Sequence, residues 1–209
     1  SILQPFHLLD LTFYYKKNRS MHILKEADIT SDFSHLREDL SSIVFGSAIN
    51  NIINRIFEED FPNEVIFRLC TKSLDLLSKN LRNNKVIFIF FLYHLSKQLG
   101  FMPSYKSCNS CNQKFKNDAI FSSSLNALIC DQCIIHQSMD LDFVIKFLTL
   151  QKIDLVNKTH INQIFEIDLS KDNLSELFNF LIAFMNSNIN HMLKVNSIKE
   201  VTKFYHERN

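Results

Sequence analysis

The sequence predicts a mainly α-helical protein with a small β part, in which a hairpin precedes a helical bundle that carries an inserted four-cysteine module. Apolar side chains near the start of the chain alternate with a two-residue period, and from about Ser31 they recur at three- and four-residue steps. Two close cysteine pairs interrupt the helical pattern. The chain contains only two glycines and three prolines in 209 residues, which argues against a turn-rich all-β protein.

Residues 6–25 predict a β-hairpin. Along its first strand, two sets of side chains alternate. One face would carry Asp10, Thr12 and Tyr14, and the other would carry Leu9, Leu11, Phe13 and Tyr15. Residues 16–20 are polar and predict the turn, and residues 21–25 predict a second, short strand. A lone hairpin is only marginally stable in water, so these strands are expected to need partners. The chain begins at Ser1 without a methionine, and we expect a fragment that lacks an N-terminal segment.

The helical pattern starts at about Ser31 and continues through residues at three- and four-residue steps, Leu36, Leu40, Ile43, Ile49, Ile52, Ile53 and Ile56. Gly46 costs about 1 kcal/mol relative to alanine inside a helix, so a break or kink is expected there if anywhere. Pro62 is expected in the first turn of a second helix, whose apolar face carries Ile66, Leu69, Cys70 and Leu77.

A third helix is predicted over residues 85–99. Because it is apolar nearly all round, it belongs in the centre of a bundle. Gly100 is expected to cap it, with Pro103 just beyond. Residues 141–150 and 174–192 predict two further helices, the second with an apolar stripe formed by Leu174, Leu177, Phe178, Leu181, Ile182, Met185 and Ile189.

The four paired cysteines predict a metal site. Eighteen residues separate two Cys-x2-Cys pairs, Cys108 with Cys111 and Cys130 with Cys133. Each pair fits a tight turn, and the intervening segment is long enough for a hairpin that brings the pairs together. Four thiolates with no open position form a closed tetrahedral site, which predicts a structural Zn²⁺ ion.

Other interpretations of these cysteines are weaker. A rubredoxin-like iron site would use the same ligands, but no feature of a redox partner accompanies them. A thioredoxin-type pair would leave the second pair unexplained, and a zinc deaminase would need a His-x-Glu element that the sequence lacks. His136 is either a substitute ligand or a surface histidine. Cys70, on an apolar helical face, is interpreted as a core residue rather than a reactive thiol.

The chain carries no secretory signal, and its longest apolar run, residues 86–95, has about half the length that a bilayer requires. A cytoplasmic location without membrane attachment is therefore predicted. Close cysteine pairs fit a reducing compartment, where they serve as metal ligands more often than as disulfides. The formal net charge of +1 indicates neither an acidic nor a basic partner.

The chain resembles the bacterial RecO family along its whole length. The run Leu3-Gln4-Pro5-Phe6 and the hairpin after it are similar to the second half of the family's N-terminal OB-fold. The run Leu99-Gly100-Phe101-Met102-Pro103 is similar to the segment before the family's first cysteine, and the spacing of the four cysteines matches its zinc-bearing members. Residues 180–205 are similar to the family's C-terminal helix and lysine-containing end.

The resemblance implies a domain organisation and a function. Residues 1–30 would be the C-terminal part of an OB-fold, and residues 31–209 a helical domain with the zinc module at 104–137. Such proteins are non-enzymatic recombination mediators that bind single- and double-stranded DNA and anneal complementary strands. They contact the C-terminal tail of single-strand-binding protein and load the recombinase together with RecR. In agreement, the sequence contains no phosphate-binding loop or nucleophile motif.

The sequence departs from the family pattern in three places. The first OB-fold strands and the basic segment before the Leu-Gln-Pro-Phe run are absent, which implies an open barrel. Asn112 stands where a glycine usually follows the second cysteine, and Leu125-Asn126 stands in place of paired glycines. Asparagine tolerates a left-handed backbone better than most residues, so both asparagines are plausible substitutes.

The candidate DNA contacts are Lys16, Lys17 and Arg19 in the predicted hairpin turn, beside Tyr14 and Tyr15. Aromatic faces next to phosphate-binding cations are the usual way in which OB-folds bind single strands. The competing interpretation is a solvated turn. A second basic cluster lies on the predicted zinc module, at Lys106, Lys114 and Lys116, and a third lies along the second helix, at Arg68, Lys72, Lys79 and Arg82.

Two other functions compete with the mediator. A zinc-ribbon module acting in transcription or RNA binding would predict a dense basic surface on the zinc hairpin, where only three lysines are found. An enzyme would need a site among residues such as Glu58, Glu59, Asp60 and His94. The three acids are better interpreted as a solvated helix end, and His94 as a residue packed in the bundle.

Overall fold

A computed structural model describes residues 2–17, 21–57, 62–79, 83–102, 104–134, 142–189 and 196–206. Its helices are α1 (Leu40–Ile56), α2 (Glu64–Ser78), α3 (Asn84–Gln98), α4 (Asp131–Ile134), α5 (Phe147–Lys158), α6 (Lys171–Asn188) and α7 (Asn196–His206). Its strands are β1 (His7–Tyr14), β2 (Ile23–Asp32), β3 (Ala119–Ser122), β4 (Ala127–Cys130) and β5 (Phe143–Ile145). The protein is mainly helical with two small antiparallel sheets, as predicted.

Helix α3 occupies the centre of the bundle. Eleven of its fifteen residues are buried, so it exposes a much narrower face to solvent than a surface helix does. Phe88 contacts Phe45 of α1 and Phe178 of α6, with ring centroids 5.4 and 6.4 Å apart. Gly100 follows with a φ of +81°, a left-handed conformation that glycine adopts at helix ends without steric cost. The predicted central helix and its cap are confirmed. No helix in the described part of the chain, α3 included, is both long and apolar enough to cross a membrane.

Local capping fixes where the other helices begin. The side chain of Asp39 accepts a hydrogen bond from the first turn of α1, and that of Asn63 accepts one from the first turn of α2. Helix α6 starts with a capping box in which Ser170 and Asn173 exchange side-chain-to-backbone hydrogen bonds. Pro62, expected inside α2, therefore lies one residue before its cap.

The last helix completes the core. Helix α7 packs against α1, and Tyr205 stacks on Phe178 with ring centroids 4.1 Å apart. The buried hydroxyl of Tyr205 donates a hydrogen bond to the carbonyl of Lys85, at 2.5 Å. The core is thus closed by residues far apart in sequence.

The start of the helical region differs from the prediction. Strand β2 continues to Asp32 and a 3₁₀ helix follows at Ser34–Glu38, so the first α-helix begins at Leu40 rather than near Ser31. Gly46 does not break α1. A Cβ atom at this position would lie 3.1 Å from Cε1 of Phe6, so the glycine allows the hairpin to pack directly against the helix.

The region after the cysteines also differs. Residues 143–145 form β5, which pairs with β3, and α5 starts only at Phe147 and continues to Lys158. The predicted helix over 141–150 is therefore wrong in its first half, because a three-residue strand is too short to produce a recognisable period. Leu141 lies outside the described residues. The predicted helix over 174–192 is confirmed as α6, and residues 190–192 lie outside the described part of the chain.

Strands β1 and β2 form the predicted hairpin, although β2 is ten residues long rather than five. One face is apolar: Leu9 lies opposite Ile29, Leu11 opposite Ala27, and Phe13 opposite Leu24. On the other face Asp10 lies opposite Asp28 and Thr12 opposite Glu26. Leu11, Phe13 and Leu24 are each exposed over more than two fifths of their surface. The apolar face is therefore largely uncovered within the described residues.

Candidate metal centre and nucleic-acid interface

The structure brings the four predicted cysteines together. The Sγ atoms of Cys108, Cys111, Cys130 and Cys133 all lie within 4.8 Å of one another, and those of Cys111 and Cys130 are 3.8 Å apart. Four sulfurs at about 2.3 Å from a tetrahedral zinc are separated by about 3.8 Å. The cluster therefore has the size and the donor set to hold a metal ion.

Two turns and a hairpin position these sulfurs. In the first turn the N–H of Asn112 donates to the carbonyl of Cys108, at 2.9 Å. Strands β3 and β4 then return the chain so that Cys130 ends β4 and Cys133 lies in α4. Asn112 and Asn126 have φ angles of +59° and +48°. Both asparagines thus occupy left-handed positions, which explains why they can replace glycine.

The electrostatics of the cluster favour a cation. Burial raises the pKa of the Cys108 thiol, but backbone N–H groups of Cys111 and Cys130 directed at the sulfur outweigh it and bring the pKa down to about 6. A hydrogen bond with Cys130 raises the pKa of Cys133 to about 12. Thiolates this close repel one another, so all four deprotonate together only around a positive ion.

The cysteine-bearing segment, residues 104–134 together with β5, is called the cysteine module below. It is joined to the helices by apolar and polar contacts. Phe121 stacks on Phe143 and meets Phe180 of α6 edge-on, with ring centroids 5.3 and 5.7 Å apart. The hydroxyl of Tyr105 donates to Asp154 of α5, at 2.8 Å. The module is therefore embedded in the helical domain rather than projecting from it.

Asp154 is the principal polar contact between the module and α5. Its carboxylate also pairs with Lys106, at 2.9 Å, and with Lys158, at 3.3 Å. The hydrogen bonds from Lys106 and Tyr105 lower the pKa of Asp154 to about 2. Of the second predicted basic cluster, Lys106 is thus already paired, whereas Lys114 and Lys116 are exposed.

The hairpin tip holds part of the first predicted DNA-contact set. Lys16 and Lys17 are exposed just beyond β1, and Arg19 lies outside the described residues. Tyr14 and Tyr15 are exposed. The ring of His22 lies 4.9 Å from that of Tyr15 and 5.6 Å from that of Phe13. Sequence reasoning missed His22, because cross-strand pairing was needed to place it there.

A groove of about 780 Å³ lies between the base of the hairpin, α2 and α3. Its apolar lining includes Leu8, Phe33, Val65, Leu69, Phe90 and Ile161. Arg68 and Lys72 lie at the same groove, and Asp75 beside them pairs with Lys72 and Lys79. Arg68 pairs with Glu64. Of the four cations predicted along the second helix, Arg68 and Lys72 line this groove, and Lys79 pairs with the groove residue Asp75. Arg82 lies outside the described residues.

The remaining candidate residues have structural surroundings. The ring of His94 packs on that of Phe90, with ring centroids 4.1 Å apart, and its Nε2 donates a hydrogen bond to the carbonyl of Val156. Burial lowers the pKa of His94. Burial raises the pKa of Cys70 to about 11, so it stays a neutral thiol. Glu58, Glu59, Asp60 and His136 lie outside the described residues.

Comparison with known proteins places these features in a family. Residues 37–197, well over half of the chain, match the family model "Recombination protein O C terminal". The chain belongs to the RecO family. The matched range includes helices α1 to α6 and the whole cysteine module, so the module is part of the family domain rather than an unrelated insertion.

Individual relatives agree with this assignment. The chain is 30% identical over 131 residues to the DNA repair protein RecO of Alkaliphilus metalliredigens. The matched segment covers 63% of this chain and 52% of the relative. It is 25% identical over 184 residues to the DNA repair protein RecO of Caldicellulosiruptor saccharolyticus, covering 88% and 72%. The chain spans about half the length of relatives such as the RecO proteins of Alkaliphilus metalliredigens and Acetivibrio thermocellus.

Proposed function

We propose that this chain is the DNA-handling part of a recombination mediator that acts in DNA repair. The family match over residues 37–197 carries the proposal. In this role the protein binds single- and double-stranded DNA, anneals complementary strands, and loads the recombinase together with RecR and single-strand-binding protein. None of these steps breaks a covalent bond, so the chain is proposed to be a binding protein and not an enzyme. A strand-annealing assay tests the role directly, and annealing no faster than that of the free strands would contradict it.

We propose that the cysteine cluster holds one structural Zn²⁺ ion through Cys108, Cys111, Cys130 and Cys133. The support is the set of four sulfurs within 4.8 Å of one another. Zinc bound by four thiolates has no open position for substrate. Its role here would be to fix the two turns and the β3–β4 hairpin against α5 and α6.

We propose that DNA contacts the hairpin tip through Lys16, Lys17 and Arg19, with the strands of residues 1–30 forming part of an OB-fold. The support comes from the exposed rings beside Lys16 and Lys17, which offer stacking surfaces next to cations. The acidic residues on the outer face of the hairpin, Asp10, Glu26 and Asp28, disfavour phosphate contacts farther from the tip.

A salt titration tests the hairpin contact. Lys16→Ala, Lys17→Ala and Arg19→Ala are combined in a protein that carries the N-terminal strands expected from the family. Each lost phosphate contact lowers the salt slope by about 0.7 for single strands, so the triple variant should lose about two units and bind all sequences more weakly. The control combines Lys97→Ala, Lys199→Ala and Lys203→Ala, which are exposed and change the charge equally. Unchanged affinity and slope in the hairpin variant would mean a solvated turn.

We propose that the groove beside α2 takes the acidic C-terminal tail of single-strand-binding protein. Apolar residues line the groove and Arg68 and Lys72 lie at its rim, a combination that suits a peptide with both acidic and apolar side chains. Combining Arg68→Ala with Lys72→Ala should weaken binding of a fluorescent tail peptide several-fold, whereas Lys199→Ala with Lys203→Ala, both exposed on α7, should not. Equal binding by both double variants would exclude this groove.

A further inference from the structure

A second cleft, of about 380 Å³, separates the cysteine module from helix α5. Phe115 and Leu150 are buried at its floor, and the half-buried rings of Tyr105 and Phe147 belong to its lining. The exposed side chains around it include Lys106, Lys114 and Gln151. The cleft thus combines aromatic surface with cations and an amide.

The cations follow from the local backbone. Lys106 and Phe115 lie on neighbouring segments, because the N–H of Phe115 donates to the carbonyl of Lys106 at 3.0 Å. Phe115 is buried, whereas Lys114 and Lys116 on either side of it are exposed. A single nucleic-acid backbone passing this edge meets more than one positive charge.

The acids at this cleft are already engaged within the protein. Asp154 binds Lys106, Lys158 and the hydroxyl of Tyr105. Asp118 accepts a hydrogen bond from the N–H of Phe147, at 2.8 Å. Two lysines, Lys106 and Lys114, and one carboxylate, Asp154, belong to the lining of the cleft, so the lining carries a net positive charge. Asp154 pairs with Lys106 and also with Lys158 of α5.

We propose that this cleft is a second contact for single-stranded nucleic acid, in which Lys106 and Lys114 bind phosphate, an unpaired base lies against the aromatic lining, and Asp154 competes with the phosphate for Lys106. The inference rests on the proposed function that the chain binds DNA. Aromatic side chains and an exposed amide at one cleft suit an unpaired base, which presents both a flat face and a polar edge. An acidic peptide is the alternative occupant that the test distinguishes.

The role of Asp154 gives an unusual prediction, namely that removing a charge pair strengthens binding. Asp154→Asn keeps the shape of the side chain but frees Lys106 and Lys158 for phosphate. Affinity of the whole chain for a fluorescent oligothymidine should rise, and the salt slope should steepen by about 0.7 for each lysine recruited. Asp172→Asn is the control, because it changes the net charge equally and removes one of the two carboxylates that pair with Lys146, while Glu176 still holds that lysine.

A second pair of variants tests the cleft without requiring the Asp154→Asn protein to fold correctly. Lys114→Ala should lower affinity and reduce the slope by about 0.7, whereas Lys199→Ala on α7 should change neither. Equal increases for Asp154→Asn and Asp172→Asn, or no effect of Lys114→Ala, would overturn the proposal. Tighter binding of an acidic peptide than of the oligonucleotide, lost with Lys114→Ala, would also overturn it.

Repeating the titrations in the hairpin triple variant separates this proposal from the DNA site at the tip. If the cleft variants keep their effects in that background, the cleft binds independently of the hairpin. If only the hairpin triple variant loses affinity for DNA, the proposed function stands and the cleft proposal fails. If the wild-type chain and its version with added N-terminal strands bind no DNA at all, both proposals fail.

Discussion

The protein contains two β-hairpins of opposite character. Strands β1 and β2 have eight and ten residues, yet most of their side chains are exposed. Strands β3 and β4 have four residues each, and six of those eight residues are buried. The short hairpin is held by cysteine contacts, by β5 and by α6, whereas the long one is anchored mainly at its base. Packing against other elements therefore decides how much of each hairpin is buried, and strand length does not.

The largest difference between the two hairpins should appear when metal is lost. Cys108→Ser removes the one buried sulfur of the cluster, and structural zinc sites contribute on the order of 10 kcal/mol to folding. We expect zinc to fall from about one ion per chain to almost none, and amide exchange to become fast in β3 and β4 but not in β1 and β2. Elemental analysis and hydrogen exchange measure both effects.

Cys70→Ser is the control for that experiment, since Cys70 is the fifth cysteine and lies outside the cluster. It should retain the metal. A Cys108→Ser protein that keeps one zinc per chain, or a metal-free wild type with full protection in β3 and β4, would contradict the structural role of the ion.

The same substitution in each hairpin sharpens the comparison. Phe121→Ala in β3 removes a fully buried ring and should cost about 3–5 kcal/mol of unfolding free energy. Phe13→Ala in β1 removes a ring that is 48% exposed and should cost less than about 0.5 kcal/mol. Denaturant unfolding with zinc present measures both. Equal losses would mean that another surface covers β1 in solution.

The smallest effect is expected in the turn of the short hairpin. Asn126 has a left-handed φ of +48°, and its side-chain oxygen is buried without a partner among the described residues. Asn126→Gly should therefore raise the unfolding free energy by about 1 kcal/mol. Asn117→Gly, in the same module but without a positive φ, should lower it by about 0.5–1 kcal/mol because glycine adds freedom to the unfolded chain. Thermal unfolding distinguishes the signs.

Much of the fold could be predicted because the decisive signals are local. The spacing of Cys108, Cys111, Cys130 and Cys133 predicts the cluster, and the uninterrupted apolar run predicts α3 as the central helix. Asn112 and Asn126 stand where the family has glycines, which indicates left-handed conformations at both positions. Each of these inferences depends on residues within one short segment of the chain, the longest being the segment from Cys108 to Cys133.

The features that sequence reasoning missed are contacts across the chain. Tyr105 and Asp154 are 49 residues apart, and no pattern in a single sequence pairs a tyrosine with that carboxylate. The groove beside α2 combines residues from four separate segments, such as Leu8, Val65, Phe90 and Ile161. The sequence pattern predicts helix where β5 forms, because three residues are too few to show the period of a strand. Packing, rather than local propensity, decides each of these cases.

The packing of α7 against α1 has a consequence for the order of events during synthesis. The last cysteine of the cluster precedes α7 by 63 residues (133 to 196), which a ribosome adds in roughly 3–13 seconds. All four cysteines of the module are therefore synthesised while the helical core is still incomplete. Until residues 196–206 are synthesised, α1 lacks the contacts that α7 makes with it, and part of its apolar surface stays open to solvent, chaperones and proteases.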